Sequence, residues 1–538
     1  MTSFPVLNRR TQFEFLLDLE PAKASFAMHL IVSVLTLAAA LVMGTRLEAA
    51  ERPNIVFIFT DDHACQSIGA YGSKINKTPN IDRIANEGAV FLNSFCANSI
   101  CGPSRACVLT GKHSHKNGFY SNGRGPFDGS QFTFPKVLQK SGYQTALVGK
   151  WHLNSDPTGF DHWEILPGQG AYYNPQFIGQ NGRRQIEGYC TTITTDLALD
   201  WLKQRDDEKP FLLMCQHKAP HRTWAPELKH LKRYEDADIP EPATLFDAWD
   251  NRSETLAGNA MSIDKHFYYH YDLKVHLPVP FAAAREQRLK DGEYRRMTPA
   301  QKLVWDAAFL PRNQAFLANP PTGKDLVRWK YQRYIKNYLR CIDSVDENVG
   351  RVLDYLDDNG LTENTIVIYS SDQGFYLGEH GWYDKRWMFE ESLKMPFLVR
   401  WPGHVKPGTR SEKLIQNIDY APTFLEVAGA EVPAEVQGTS LVPLLEKPET
   451  ADWRKSIYYH YYEHGGEHQV PRHEGVRNDR YKLINFYSND GFDLYDLKED
   501  PAEMVDVSEH ANYSDILASM KEDLLRLRKQ YDLPPLKK

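Results

Sequence analysis

Asp61 and Asp62 stand side by side, and far along the chain Asp372 and Gln373 form a second pair. Three carboxylates and an amide oxygen are hard donors, the ligand set of Ca²⁺ or Mg²⁺ rather than of zinc or copper. Adjacent aspartates repel unless a cation lies between them, although an Asp-Asp pair alone is more often a solvated turn. A cationic half accompanies them in Lys150-Trp151-His152, Lys218-Ala219-Pro220-His221 and Lys385. The most specific string is Cys101-Gly102-Pro103-Ser104-Arg105, continuing through Thr110, Gly111 and Lys112. Pro103 suits the first turn of a helix, so Cys101 is expected at a helix amino terminus, where free N–H groups favour an anion.

These residues need a frame that brings distant segments together. Short apolar runs at Ile55–Thr60, Tyr143–Val148, Phe211–Cys215, Thr365–Ser370 and Pro396–Arg400 predict strands buried on both faces. Such strands belong to a mostly parallel sheet covered by helices, an α/β fold. The polar clusters follow the carboxyl ends of four of these runs, where open α/β sheets place their ligands. Asp61 and Asp62 follow the first, Lys150 and His152 the second, His217 and His221 the third, Asp372 and Gln373 the fourth. Apolar residues from Tyr331 to Leu356 recur at helical spacing, and Gly360 stops that helix.

The pentad starting at Cys101 resembles the C-x-P-S-R signature of type I sulfatases, whose cysteine is oxidised to formylglycine. The resemblance runs from about Pro53 to Leu494-Tyr495-Asp496-Leu497 and Asp500-Pro501-Ala502-Glu503. It implies an alkaline-phosphatase-like mostly parallel sheet flanked by helices, with a smaller antiparallel α+β subdomain at the carboxyl end. The stretch from Asp384-Lys385-Arg386-Trp387 to Pro396-Phe397-Leu398-Val399-Arg400 looks most like N-acetylglucosamine-6-sulfatases and related glycosaminoglycan sulfatases. The implied reaction is hydrolysis of a sulfate ester on a sugar. An aldehyde hydrate suits it: one hydroxyl attacks sulfur, and the other later loses a proton to expel sulfate.

Carried over by motif, Asp61, Asp62, Asp372 and Gln373 hold Ca²⁺, with Mg²⁺ as the alternative, and the modified Cys101 contributes to the same centre. Many members have Asn or His where this chain has Gln373, a change of geometry more than of charge. Asp372 accepts the proton of the attacking hydroxyl, and Arg105 orients the hydrate. Lys150 and Lys385 neutralise sulfate oxygens, His221 protonates the departing sugar oxygen, and His152 assists release of sulfate. His217, Arg386, His473 and Arg477 are candidates for substrate contact, weighed against ordinary structural roles, as are Lys218 and His380. The partners implied are a sulfated saccharide and a formylglycine-generating or other sulfatase-maturing enzyme. Two rivals remain: a phosphonate monoester or phosphodiester hydrolase of the same superfamily, and a carbohydrate-binding protein in which Cys101 is never matured.

The 538-residue chain is 42% hydrophobic and 25% charged, with a net charge of −7. No basic run suggests nucleic acid. The uncharged stretch from Leu30 to Met43 reads as a signal peptide too short to span a bilayer, so a secreted or periplasmic enzyme is expected. Seven cysteines, an odd number, leave at least one unpaired, with Cys101 as the candidate. The expected organisation is a leader over 1–50, a catalytic domain over 51–440 with an irregular insertion over 226–323, and a carboxyl-terminal subdomain over 441–538.

Overall fold

The computed structural model describes residues 52–536 apart from 124, 450, 451, 489 and 490. The expected leader lies outside the described residues. Residues from Pro53 onward form one compact unit.

Its frame is a ten-stranded sheet. In spatial order the strands are Thr409–Ser411, Ala89–Phe91, Phe397–Arg400, Thr365–Ser371, Asn54–Thr60, Phe211–Gln216, Gln144–Lys150, His162–Leu166, Gln176–Gly179 and Gly182–Gln185. The four strands expected to carry the site are four consecutive members of this order. Each pairs with its neighbours in parallel among the four. Their carboxyl ends therefore open on the same edge. Phe397–Arg400 is the first antiparallel strand beside them. Ile55, Val56, Phe57, Ile58 and Phe59 are all buried, as continuous apolar strands between two helical layers require.

Helix Gly323–Asp358 covers one face and presents Tyr331, Tyr334, Tyr338, Ile342, Val345, Val349 and Val352 to the core. These positions follow the three-to-four spacing read from the sequence. The stretch expected to be irregular over 226–323 also contains helix Pro299–Ala318. Thr298 and Gln301 close a capping box at its start, and Trp305, Phe309 and Phe316 bury one side.

Near the carboxyl end, strands Ser456–Tyr461, His473–Asn478, Tyr481–Phe486 and Gly491–Asp496 form an antiparallel sheet. Helix Ser514–Gln530 packs Met520, Leu524 and Leu527 against it. Where the sequence reads as one short strand over Gly475–Phe486, the chain instead forms the two arms of a hairpin, His473–Asn478 and Tyr481–Phe486. Asn478 Oδ1 accepts the N–H groups of Arg480 at 3.0 Å and Tyr481 at 2.7 Å, which folds the chain back between them. Among the described residues, no helix is long and apolar enough to cross a membrane.

Candidate active site

At the open edge, oxygens of Asp61, Asp62 and Asp372 lie within 4.8 Å of one another, and all three side chains are fully buried. Asp62 sits at φ 68°, a left-handed conformation that aspartate tolerates better than most side chains. Three contacts hold it there. Its N–H donates to Asp372 Oδ1 at 3.2 Å, its carbonyl accepts from Tyr338 Oη at 2.7 Å, and Gln373 Nε2 donates to its Oδ1. Asp61 Oδ1 and Gln373 Oε1 are buried without hydrogen-bond partners. Buried acceptors left unpaired are costly, and two of them beside three carboxylates fit a cation of the Ca²⁺ or Mg²⁺ kind.

The titration of these groups shows the same demand. Burial first, and then repulsion from Asp61, pushes Asp372 up to about 8. Burial also raises Asp62, with Lys385 opposing and Asp61 adding to the shift. Asp61 goes the other way: burial works against its charge, but Lys150, His221 and Arg105 outweigh it.

Cys101 begins helix Cys101–Thr110, as Pro103 led one to expect, and its side chain has no exposed surface. Its sulfur, Asp61 and His221 Nε2 or Nδ1 share one space, with ligand atoms within 4.8 Å of one another. The first turn is tightly enclosed. Gly102 N–H donates to Asn122 Oδ1 at 3.0 Å, and a Cβ at Gly102 would stand 2.7 Å from Phe119 and 2.9 Å from that oxygen. Burial, reinforced by Asp61, pushes the Cys101 thiol up to about 12. An unmodified thiol here stays protonated at neutral pH and is a poor nucleophile.

Arg105, one turn along, is buried and saturated. Its Nε and Nη2 donate to Asp372 Oδ2 at 3.1 and 3.0 Å, and its Nη1 to Gln216 Oε1 at 2.8 Å and the Lys150 carbonyl at 2.9 Å. Ser104 Oγ donates to the Asp372 carbonyl and accepts from Asn417 Nδ2 at 2.8 Å. The signature residues thus lock the helix to the carboxylate cluster.

Two lysines complete the centre. Lys150 Nζ pairs with Asp61 Oδ2 and also donates to Gln169 Oε1. Gly149, at φ 108°, has no room for a side chain, since a Cβ would fall 1.9 Å from the Gln216 carbonyl oxygen. Lys385 Nζ reaches Asp62 Oδ1 at 2.7 Å and Oδ2 at 2.8 Å. It is flanked by Asp384 at φ 79° and Arg386 at φ 96°. Left-handed residues on both sides are backbone strain of the kind that clusters at functional sites. The Asp384–Arg386 ion pair and His468 Nε2, 3.3 Å from Asp384 Oδ2, hold that segment.

The histidines separate. His221 Nδ1 lies 2.6 Å from the Arg222 carbonyl oxygen and must carry the proton there, which leaves Nε2 facing Asp62 Oδ2 at 3.8 Å. Burial holds His221 well below the usual imidazole range despite Asp61. His152, just past the strand that ends in Lys150, is lowered by burial and then by Lys150. His217 points elsewhere: its Nε2 is 3.7 Å from Cys215 Sγ, and burial alone lowers it to about 4. Lys218 lies over the Tyr172 ring, 4.7 Å from its centroid.

The outlying candidates are placed differently. His380 is held by Asp247 at 3.0 Å. His473 is buried among Trp387, Tyr459, Tyr461 and Phe486. Arg477 is engaged by Glu390, with Nη2–Oε2 at 3.2 Å. All seven cysteines are free and buried. Sequence reasoning missed Gln216, Gln169, Tyr338, Asn122 and Asn417. Gln216 closes a strand immediately before His217, the same positional signal that exposed the others. Gln169 lies in a loop without any motif.

The sulfatase family profile matches residues 53–430, and a profile for the carboxyl-terminal part of N-sulphoglucosamine sulphohydrolase matches 378–530. The chain is 47% identical to the N-acetylglucosamine-6-O-sulfatase of Bacteroides thetaiotaomicron over 90% of this chain and 88% of that one. It is 27% identical to the human N-acetylglucosamine-6-sulfatase over 76% of this chain and 67% of that one. A solved protein in complex with its substrate D-glucosamine-2-N,6-O-disulfate superposes with a TM-score of 0.86 at 46% identity, covering 90% of this chain and 98% of its own. The phosphonate monoester hydrolase of Agrobacterium radiobacter superposes at 0.66 with 20% identity over 89% of this chain and 96% of its own, a likeness of fold alone.

Proposed function

The chain belongs to the sulfatase family, and from that premise we propose that it removes the 6-O-sulfate of N-acetylglucosamine or a related glycosaminoglycan sugar. The observation that carries this reading is the similarity, over nearly the whole chain, to a protein whose substrate is a 6-O-sulfated glucosamine. The geometry of the buried edge supports it.

Asp61, Asp62, Asp372 and Gln373 would hold the divalent cation, Ca²⁺ by the family resemblance. Bound there, it would draw charge from sulfate oxygens and favour ionisation of a nearby hydroxyl. The chain's own residues do the rest. Cys101, converted to formylglycine and hydrated, presents one hydroxyl to sulfur while Asp372 takes its proton. The new oxygen–sulfur bond forms as the bond from sulfur to the sugar oxygen breaks. His221 Nε2 delivers a proton to that leaving oxygen. Because His221 is neutral when its only neighbours are those described, the incoming sulfate's negative charge is what favours its protonated form.

The second hydroxyl then loses its proton to His152, the carbonyl re-forms, and sulfate leaves. Water rehydrates the aldehyde. Lys150 and Lys385 exchange their carboxylate partners for sulfate oxygens, neutralising charge as it moves. Arg105, fixed on Asp372 and Gln216, keeps the helix terminus aimed at the reacting group. Among the outlying residues, Arg386 directly follows Lys385 and is the candidate for the sugar side. The Leu30–Met43 stretch supports export to the periplasm or beyond.

The test is sulfate release from defined saccharides, with N-acetylglucosamine 6-sulfate expected to exceed sugars sulfated at other positions. A preference for aryl phosphonates or phosphates over aryl sulfates would favour the phosphoryl rival. The mass of the peptide containing Cys101 must show the thiol replaced by an aldehyde in active preparations; a fully active protein with an intact thiol would overturn the mechanism.

A further inference from the structure

A cavity of about 410 Å³ is walled by Tyr120, His460, Tyr462, Arg472, Tyr487 and the tail Leu533–Leu536. It is joined to the nucleophile's helix through one short segment. Tyr120 and Ser121 line it, and the next residue, Asn122, accepts the Gly102 N–H. The Asn122 N–H is in turn held by Glu463 Oε2 at 3.2 Å, directly after Tyr462. Strand Ser456–Tyr461 separates the two spaces. Tyr459 reaches the Arg386 carbonyl on the catalytic side at 2.6 Å, while His460 faces the cavity.

The walls are built for a polar ring that carries negative charge. His460 and Tyr462 stack at 3.7 Å, and Tyr120 meets Tyr462 edge-on at 5.0 Å. Tyr458 donates to Glu474 at 2.6 Å, so His460 Nδ1 must donate to Tyr458 at 2.8 Å, and His460 Nε2 accepts from Tyr487 at 3.0 Å. Burial holds His460 well below the usual imidazole range, so Arg472 supplies the positive charge of this wall. Its Nε donates to the Tyr462 carbonyl at 3.1 Å, and among the described residues no carboxylate lies in ion-pair range of its guanidinium. The Tyr462 hydroxyl is buried and has no partner. An oriented guanidinium without a carboxylate partner, beside aromatic faces, is a recognition surface for a carboxylate or sulfate on an amphipathic ring.

We propose that this cavity is a second saccharide site, which holds an acidic sugar of the same polymer whose sulfated end enters the catalytic site. The inference rests on the saccharide reading above. A chain crossing the rim at Glu463 would engage both spaces, raising the effective concentration of its sulfated end without any new contact to sulfate.

The test compares N-acetylglucosamine 6-sulfate with a hexasaccharide in which that sugar alternates with uronic acid. Wild-type enzyme should show the higher kcat/KM on the hexasaccharide. Arg472→Ala should lower that preference about tenfold, the size expected for a charge-assisted contact, and leave the monosaccharide rate unchanged. Arg472→Lys should restore part of it. An unchanged ratio in Arg472→Ala, no chain-length preference in the wild type, or equal losses on both substrates would each overturn the second site. Absence of sulfate release from either substrate by the matured wild type would overturn the saccharide reading itself.

Discussion

Lys385 Nζ is bidentate to Asp62, 2.7 and 2.8 Å from its two oxygens. A residue assigned to sulfate thus rests on a residue assigned to the cation. Burial disfavours the ammonium, but Asp62, Cys101 and the other aspartates hold its titration above the ordinary lysine range. The lysine remains charged throughout the working pH range and balances Asp62 until substrate arrives. Lys385→Ala should therefore lower kcat/KM by about 10²–10³, the usual loss of one electrostatic contact to the reacting group. It should not lower cation affinity, because removing the ammonium removes a competitor for Asp62. Calorimetry showing lost cation binding in this variant would place Lys385 in the structural support of the cluster instead.

Cation binding should depend on pH with a definite sign. Asp372 titrates at about 8 in the cation-free cluster, so below that pH it carries a proton that a cation must displace. Affinity should rise from pH 6 to pH 8, by about tenfold per unit for one displaced proton, and flatten above. Calorimetry in buffers of different ionisation enthalpy would count the protons. Asp372→Asn should abolish both the proton release and nearly all activity; retained stoichiometric cation with normal turnover would remove Asp372 from the ligand set.

His221 can be tested through its leaving group. A sugar alkoxide needs a proton as its bond to sulfur breaks, and such help is worth about 10²–10⁴ in rate. An acidic phenol departs without it. In single-turnover measurements, His221→Ala should lose far more on a sulfated sugar than on an activated aryl sulfate. Equal losses would make His221 a sulfate-binding or structural residue. The sequence had also pointed to His217 and Lys218 at the same strand end. The turn of His217 toward Cys215 and the packing of Lys218 on Tyr172 leave His221 facing Asp62.

The frame and the cluster were legible because both depend on local signals. Continuous apolar runs mark strands buried on two faces, and the residues just beyond them must emerge on one edge when the strands run parallel. That logic places Asp61, Lys150, His221 and Asp372 on one edge, where the structure has them. It could not find Gln169, which meets Lys150 from a loop whose course is set by packing elsewhere. Nor could it split Gly475–Phe486, where one asparagine side chain turns an apparently continuous strand into a hairpin. His473 and Arg477 lie on strand His473–Asn478, and which neighbours each meets depends on register, which is a property of the pairing.

The complete enclosure of Cys101 has a consequence for timing. In the folded chain its side chain has no exposed surface, and Phe119 and Asn122 crowd the next residue, Gly102. On the formylglycine reading proposed above, conversion would have to precede this burial. A polypeptide that folded first would then keep its thiol, and the active fraction of a preparation would follow how long the newborn chain stays open.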